Sequence, residues 1–224
     1  MIEFLTVYAE NWASWWPQIR AAIWVTLGLT GFAYVLAMVV GMLIALGRMS
    51  RSALLRGLCK GYVEFMRGVP TLVILFLIYF GLPSFGIVFD AFWAGVIGLG
   101  LSMGGYIAEV FRSGLQAIHY GQREAALAVG MTPVQAFRYV TLPLAFRIIL
   151  PPMLNMLILL LKDSSLAALI TAPELMLTAK DLASSTFLPM HLYLLVGVLY
   201  LALTLPMSFV ARHIEARMRL GAAR

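Results

Sequence analysis

Long stretches of this sequence contain no Asp, Glu, Lys or Arg. Four of them lie between Arg20 and Arg48, Arg67 and Asp90, Asp90 and Glu109, and Asp181 and Arg212. About 20 predominantly apolar residues are enough for an α-helix to cross the hydrocarbon core of a bilayer. Only 12% of the 224 residues are charged, against about 25% in an ordinary globular domain. The sequence therefore predicts an all-α membrane protein.

Five membrane spans are predicted from these stretches and from a shorter uncharged run between Arg147 and Lys162. They cover residues 22–46, 66–86, 91–111, 144–168 and 189–211. Residues 1–19 are predicted to form an amphipathic segment outside the cytoplasm, because Trp12, Trp15 and Trp16 suit the membrane–water interface. A frayed terminus is the alternative. Residues 20–215 form the predicted membrane domain, followed by a cytoplasmic tail at 216–224.

The basic residues are distributed unevenly between the predicted loops. Most lie in the first loop, in the third loop or at the C-terminal end: Arg48, Arg51, Arg56, Lys60, Arg67, Arg112, Arg123, Arg138, Arg147, Arg212, Arg217, Arg219 and Arg224. With five spans these three regions share one side of the membrane. The positive-inside rule then predicts a cytoplasmic C-terminus and an N-terminus outside. The net charge of +6 thus reflects membrane topology, and no nucleic-acid partner is expected.

Neither a disulfide nor a metal site is expected in this chain. Cys59 is the single cysteine, and His119, His191 and His213 are too scattered to indicate a metal cluster. No basic segment precedes an apolar core at the N-terminus, so no cleavable signal peptide is expected.

Residues 121–143 interrupt the apolar pattern with Ala, Gly, Pro and scattered charge. We predict a short helix over residues 124–129, ended by Gly130 in the left-handed conformation. Thr132 suits the N-cap of a second helix, with Pro133 at its first position. The Leu142-Pro143 pair is predicted to end that helix and return the chain to the membrane. The result is a two-helix elbow.

The second helix of this elbow has an apolar face, because Val134, Phe137 and Val140 repeat at three-residue spacing. Isolated helices this short are marginal in water, so the elbow needs a supporting surface. A partner protein and the lipid headgroups are both consistent with the pattern.

A second polar interruption, LLLKDSSLAAL, covers residues 159–169. The distance from Arg147 to Lys162 is about 22 Å of helix at 1.5 Å per residue, which is shorter than the roughly 30 Å hydrocarbon core. Lys162 and Asp163 are therefore expected within the membrane or near its outer boundary. Charged residues there usually face protein or water. Pro151 and Pro152 are expected to bend the span.

Several motifs together resemble a known family. Glu124-Ala125-Ala126, Gly130 and Val140-x-Leu142-Pro143 resemble the EAA signature of permease subunits of ABC importers, in which Ile is usual at position 140. Further motifs, in the expected order, resemble the polar amino acid subfamily of these permeases: RGVPTL at 67–72, IYFGLP at 78–83, GYIAE at 105–109, RSG at 112–114, GQ at 121–122, KDSSL at 162–166 and EL at 174–175. The resemblance covers about residues 20–215.

The resemblance implies a type I ABC importer permease fold in which the elbow is the coupling region for a cytoplasmic ATPase. The residues that it places in ATPase coupling are Glu124, Ala125, Ala126, Gly130, Met131, Pro133 and Phe137. It further implies a second permease subunit (another copy or a related chain), two ATPase subunits that bind ATP, and an extracytoplasmic amino acid-binding protein. The expected location is the bacterial inner membrane.

The same resemblance implies that the Asp163 region borders the substrate cavity. An amino acid's ammonium needs acceptors and its carboxylate needs donors, and Asn155, Asp163, Ser164 and Ser165 supply those types. For Asp163 and Ser164 a structural role is an open alternative. Lys162 is expected to be structural, paired with Asp163 or with a neighbour such as Glu174.

Two further ion pairs are predicted at cytoplasmic span ends. Glu64 with Arg67, and Glu109 with Arg112, are i,i+3 neighbours. Local charge neutralisation and a latch between moving spans are the two interpretations. Gly100 and Gly104 form a small-xxx-small pair, which suits either an interface with another permease or close packing within this chain.

No enzymatic activity is expected, since the sequence lacks the G-x-x-x-x-G-K-[ST] phosphate loop and the chain cannot be the motor. The alternative function is an ion-coupled secondary amino acid transporter acting without an ATPase. That class would predict more acidic residues within the membrane and an inverted repeat, and neither is found. A multi-pass enzyme would require clustered His, Asp or Glu residues, which are also absent from the sequence pattern.

Overall fold

The computed structural model describes residues 2–220, which are helical almost throughout and contain no strand. The helices, in chain order, are α1 (Ile2–Arg48), α2 (Ala53–Gly68), α3 (Thr71–Phe76), α4 (Ala91–Gln116), α5 (Tyr120–Ala128), α6 (Pro133–Ala136), α7 (Leu142–Asp163), α8 (Leu175–Thr186) and α9 (Pro189–Leu220). Short π and 3₁₀ segments continue α3, α6 and α7. The all-α prediction is confirmed.

Within residues 2–220, four helical segments are long and apolar enough to cross a membrane: Thr6–Arg48, Ala91–Gln116, Pro133–Ile170 and Pro189–Met218. A fifth span arises if the bent pair Ala53–Gly68 and Thr71–Phe85 is counted as one. These segments agree with the predicted number of about five spans.

The N-terminal segment is not separate from the first span. α1 runs for 47 residues, about 70 Å at 1.5 Å per residue, and it continues through Pro17. Trp15 is only 1% exposed and packs in an apolar cluster with Leu175 of α8 and Leu192 of α9. Trp12 stacks on Trp16 with ring centroids 5.1 Å apart. Part of the predicted amphipathic segment is therefore core, since Trp15 packs inside the protein.

The second span differs from the continuous helix predicted over residues 66–86. Residues 66–68 belong to α2, and the chain bends by 105° before α3. Val69 is extended (φ −94°, ψ 133°), because the ring of Pro70 disfavours the helical conformation in the residue before it. The basic region predicted as the first loop is accordingly helical, since α2 contains Arg56, Lys60 and Arg67.

The chain also stays helical through Leu142-Pro143, contrary to the predicted break. Pro143 cannot donate a helical hydrogen bond, and the preceding turn widens into a π segment, Phe137–Thr141. In that turn the N–H of Leu142 donates to the carbonyl of Phe137. Proline next to this wider turn does not interrupt the helix, so Pro133–Ile170 forms one continuous helical segment.

The centre of the fold is α4, whose glycines admit neighbouring helices. A Cβ at Gly100 would lie 2.8 Å from Leu36 Cδ2 of α1, and a Cβ at Gly104 would lie 3.1 Å from the hydroxyl of Tyr62. These glycines are buried within this chain, so close internal packing accounts for both. A Cβ at Gly41 of α1 would lie 3.1 Å from the amide nitrogen of Ala108, in the backbone of α4.

A second apolar cluster joins the start of α1 to α8 and α9, and it encloses Glu174. The Glu174 carboxylate caps α8 by accepting from the Leu177 N–H at 2.8 Å, and it accepts from the Tyr200 hydroxyl at 2.7 Å. Burial raises the pKa of Glu174, whereas the hydrogen bonds from Met176, Tyr200 and Leu177 lower it. These bonds satisfy the buried carboxylate and hold α8 against α9.

We expect Gly41→Val to destabilise the α1–α4 contact, because a Cβ there would lie 2.6 Å from Ile107 Cγ2 and 3.1 Å from backbone. Overpacking of this kind typically costs about 1–3 kcal/mol. The measurement is the thermal unfolding midpoint of the full chain in detergent. Gly31→Val is the matched control, since it adds the same side chain to α1 with no atom within 4 Å of the new Cβ. Equal midpoints for the two variants would contradict this packing.

Candidate coupling segment and cavity

The turn of the elbow at residues 121–143 has the structure that the sequence predicts. α5 begins after His119 and ends at Val129, and Gly130 has a φ of +88°. The N–H of Met131 then donates to the carbonyl of Ala126 at 3.1 Å. This left-handed residue reverses the chain direction, which confirms the predicted role of Gly130 in local structure.

A capping box starts the second helix of the elbow. Thr132 Oγ1 accepts from the N–H of Gln135, and Gln135 Oε1 accepts from the N–H of Thr132 at 2.8 Å. Pro133 occupies the first turn. Both predicted start signals are confirmed, and the reciprocal bonds satisfy amide groups that would otherwise lack partners.

The two helices of the elbow pack through small side chains and expose large ones. Ala126 and Ala136 are 5% and 0% exposed. The outward surface, which we call the elbow surface, consists of exposed Glu124, Val129, Val134 and Phe137. Val129 and Val134 are 76% and 74% exposed. Apolar side chains clustered at this exposure indicate a contact surface for protein or lipid.

Of the other residues assigned to this region, Ala125 and Pro133 are exposed and Met131 is partly buried. All seven predicted coupling residues therefore lie on one short segment, but buried Ala126 contributes packing between its helices and no outward contact.

Asp163 lies at the far end of the continuous helical segment, beside a small cavity of about 110 Å³. The cavity lies between α3, α4 and α7, and its polar lining is Asp163, Thr71, Ser102 and Tyr106. Thr71 Oγ1 and Ser102 Oγ share a hydrogen bond of 2.9 Å. The lining of one cavity thus contains a carboxylate, two hydroxyls and a phenol, which places acceptors and donors where a polar solute could bind.

The other predicted pathway residues do not line this cavity. Ser164 is completely buried, and its hydroxyl donates to the carbonyl of Leu161 at 2.7 Å. Ser165 donates in the same way to the carbonyl of Lys162 at 2.7 Å. Asn155 is exposed on α7. The two serines instead bond to the turn where α7 passes into the 3₁₀ segment Ser164–Ile170, so Asp163 is the member of the four predicted pathway residues that lines this cavity.

Lys162 does not pair with Glu174. Within residues 2–220 Lys162 is exposed and makes no ion pair, while both carboxylate oxygens of Glu174 are occupied by Leu177 and Tyr200. The spacing from Arg147 to Lys162 describes one helix only. It therefore could not reveal that Glu174 would be buried against α9.

Glu109 is held between two arginines on the side of the fold nearest the elbow. Its carboxylate forms ion pairs with Arg112, one turn further along α4, and with Arg48 at the end of α1. Arg112 also donates to Gln116. The predicted i,i+3 pair thus becomes a three-residue cluster that ties α1 to α4.

The predicted pair of Glu64 and Arg67 does not form among the described residues. Glu64 is exposed, and the guanidinium of Arg67 lies over the ring of Tyr106, 5.6 Å from its centroid. A cation above an aromatic ring is stabilised without a carboxylate partner, so Arg67 fastens α2 to α4.

Thr71, Ser102 and Tyr106 were not singled out from the sequence, although a signal was present. On α4, polar residues recur as Ser102, Tyr106 and Glu109, at the four- and three-residue spacing that places side chains on one helical face. That polar stripe faces α3, α7 and the end of α1. In the part of the chain that the structure describes, no three His, Cys, Asp or Glu residues could hold a metal ion.

Comparison with known proteins identifies the family. Residues 37–220 match the model of the binding-protein-dependent transport system inner membrane component family. A probable amino-acid ABC transporter permease of Bacillus subtilis strain 168 is 44% identical over 187 residues, covering 84% of this chain and 83% of the relative. The glutamine transport system permease of Escherichia coli strain K12 is 34% identical over 220 residues, covering 94% and 98%.

A solved structure shows the same fold. A chain of an amino acid ABC transporter crystallised with histidines superposes with a TM-score of 0.87 at 36% sequence identity, covering 92% of this chain and 97% of that one. The chain therefore belongs to the binding-protein-dependent transport system inner membrane component family and has the type I fold of ABC importer permeases.

Proposed function

We propose that this chain is the transmembrane permease subunit of an ATP-driven amino acid importer. It forms the translocation pathway with a second permease, and it is moved by two cytoplasmic ATPase subunits that bind ATP. An extracytoplasmic binding protein delivers the amino acid. The amino acid and glutamine permeases among its relatives support this substrate class.

One observation carries the proposal: the second helix of the elbow and the Asp163 wall of the cavity lie on a single helical segment. Pro133–Ile170 runs without a break from the elbow surface through α7 to Asp163. A helix transmits displacement along its axis because its backbone hydrogen bonds resist compression. Movement of the elbow by an ATPase would therefore shift the Asp163 wall of the cavity relative to α4.

The ATPase would occupy the elbow surface. Val134 and Phe137 supply apolar contact area, and Glu124 supplies a charge at its edge. Closure of the ATPase dimer on ATP binding would pull both elbows together and bias the permease between two packings of its spans. The chain itself needs no catalytic residue for this work.

Within the cavity, Asp163 would accept hydrogen bonds from the ammonium group of the amino acid. The hydroxyls of Thr71 and Ser102, which share a hydrogen bond, would donate to its carboxylate. A carboxylate in a half-buried site attracts a cation more strongly than it would in water. Asn155 would line the pathway on the exposed side of α7.

The proposed orientation has the N-terminus outside and the C-terminus in the cytoplasm of a bacterial inner membrane. The elbow, with Arg123 and Arg138, then lies on the side of the ATPase, in agreement with the positive-inside rule.

We expect Glu124→Lys to uncouple transport from ATP hydrolysis, because it reverses the exposed charge beside the apolar elbow surface. A rim charge of this kind changes association by about tenfold, or about 1.4 kcal/mol. The measurement is ATP-dependent uptake in proteoliposomes, together with co-purification of the ATPase. Glu64→Lys is the control, being an exposed, unpaired acid on α2. Normal ATPase association in Glu124→Lys would contradict the assignment.

Gly130→Ala should lower the coupling efficiency through backbone strain and not through a steric clash. No atom lies within 4 Å of the new Cβ, but an alanine must adopt the φ of +88°, which costs about 1–2 kcal/mol. We expect more ATP hydrolysed per amino acid imported, since the elbow turn relaxes away from its docking geometry. Gly57→Ala on exposed helix α2 adds the same methyl at no such cost and should preserve the ratio. An unchanged ratio in both variants would remove Gly130 from the coupling element.

Asp163→Ala should impair uptake while assembly with the ATPase persists, because the cavity loses its ammonium acceptor. Loss of a charged hydrogen bond of about 1.5–3 kcal/mol predicts roughly a tenfold to hundredfold fall in uptake efficiency. Initial rates at varied amino acid concentration measure this effect. The control is Asp181→Ala, which removes an exposed carboxylate from α8. Unchanged kinetics in Asp163→Ala would exclude Asp163 from the substrate path.

A further inference from the structure

A large groove lies beside the elbow, well away from the Asp163 cavity. It has a volume of about 850 Å³ and is bounded by the end of α4, the start of α5, α7 and the last turns of α9. The lining includes His119, Gln122, Arg147, Ile148, Pro151 and Glu215. In the proposed orientation this groove opens at the cytoplasmic boundary of the membrane.

Arg147 contributes a cationic side chain to the lining of this groove. It is exposed, and within residues 2–220 its guanidinium makes neither an ion pair nor a hydrogen bond to another side chain or to backbone. Glu215 on the opposite wall has an interaction of its own. An arginine within a candidate membrane span normally reaches a phosphate, a carboxylate or water, so the groove contains a positive charge available to an external anion.

His119 and Gln122 add hydrogen-bond donors to the lining of the same groove. His119 Nδ1 accepts from the N–H of Gly121 at 3.2 Å, which leaves Nε2 to carry the proton in the neutral ring. The Gln122 amide offers two more N–H groups. Arg147, His119 and Gln122 line the same groove, so an anionic group bound there would meet N–H donors.

The wall next to Arg147 is apolar and runs along α7 into the membrane. Ile148 is 44% exposed, and Pro151 and Pro152 follow one turn further from the elbow. Their ring nitrogens carry no hydrogen, so the carbonyls of Arg147 and Ile148 lose their usual helical donors. Along α7, in the direction away from the elbow, the Arg147 guanidinium is thus followed by the carbonyls of Arg147 and Ile148 and then by an apolar surface.

We propose that this groove binds one anionic phospholipid of the cytoplasmic leaflet, with phosphatidylglycerol as its chemical type. The phosphate lies against Arg147, His119 and Gln122, and the acyl chain lies along Ile148, Pro151 and Pro152. The glycerol hydroxyls can donate to the carbonyls of Arg147 and Ile148, which the two prolines leave without their usual helical donors. Basic pockets between spans on the cytoplasmic side bind anionic headgroups by this combination of charge and apolar surface. The proposal rests on the orientation within the proposed function, but not on coupling to an ATPase.

The test is lipid titration of the purified full-length chain, followed by native mass spectrometry. Phosphatidylglycerol should bind the unmodified chain at one site more tightly than phosphatidylcholine. Arg147→Gln should weaken that binding roughly fivefold, which corresponds to about 1 kcal/mol per basic side chain near an anionic surface. Arg147→Lys should retain most of it. Arg212→Gln, an exposed arginine of α9 outside the groove, should behave as the unmodified chain.

A second variant separates lipid binding from misfolding. Ile148→Trp leaves Arg147 in place and fills the apolar wall, so it should also reduce phosphatidylglycerol binding while the helical circular dichroism is retained. Equal losses in Arg147→Gln and Arg212→Gln, or no preference over phosphatidylcholine, would overturn the proposal.

Displacement of the lipid by millimolar amino acid would identify the groove as a vestibule for cargo, and displacement by inorganic phosphate would identify a simple anion site. Either result also overturns the proposal. Because no step of this titration involves transport, the result stands whether or not the elbow couples to an ATPase.

Discussion

The fold depends on the close packing of α1 against α4. In a bilayer apolar side chains gain little from leaving lipid for another helix, so contact between helices requires close approach of their backbones. Gly41 and Gly100 supply it from opposite sides, each leaving no room for a Cβ. The cluster of Glu109 with Arg48 and Arg112 then fixes the same two helices at the cytoplasmic end of the proposed topology. With α1 and α4 fixed, the other helices have a stable surface against which α7 can shift.

α7 is held to this pair more loosely than the pair is held together. Tyr34 of α1 donates to the carbonyl of Met153 at 2.9 Å, and Gly114 of α4 receives Ile149. Further along α7, the polar cavity at Asp163 lies between α4 and α7. α7 also contributes Ala145, Ile149, Met153 and Leu160 to the apolar core that it shares with α1 and α4, so its contact with the pair combines apolar packing with a polar cavity near one end. This arrangement suits the alternation that transport requires.

Much of the fold was predictable because apolar run length and glycine and proline chemistry act locally. Gly130, Thr132 and Pro133 determine the elbow turn with no help from distant residues. The errors have a common cause, which is that tertiary support allows a helix to continue where its sequence suggests a stop. Pro17 and Pro143 both lie in continuous helix, the latter beside a π turn. The lining of the cavity was missed for a related reason: Thr71 and Ser102 meet only because α3 folds back across α4.

The irregular turns of the segment from the elbow to the cavity indicate where it can bend. A π turn at Phe137–Thr141 follows the elbow, Pro151 and Pro152 remove two hydrogen bonds in the middle, and the 3₁₀ segment Ser164–Ile170 begins directly after Asp163. Departures from α-helical geometry of this kind often occur at functional sites. Pro151 and Pro152 also form part of the apolar wall of the groove beside Arg147. A lipid bound there would contact the point at which α7 is weakest, and would therefore affect how much of a displacement at the elbow reaches Asp163.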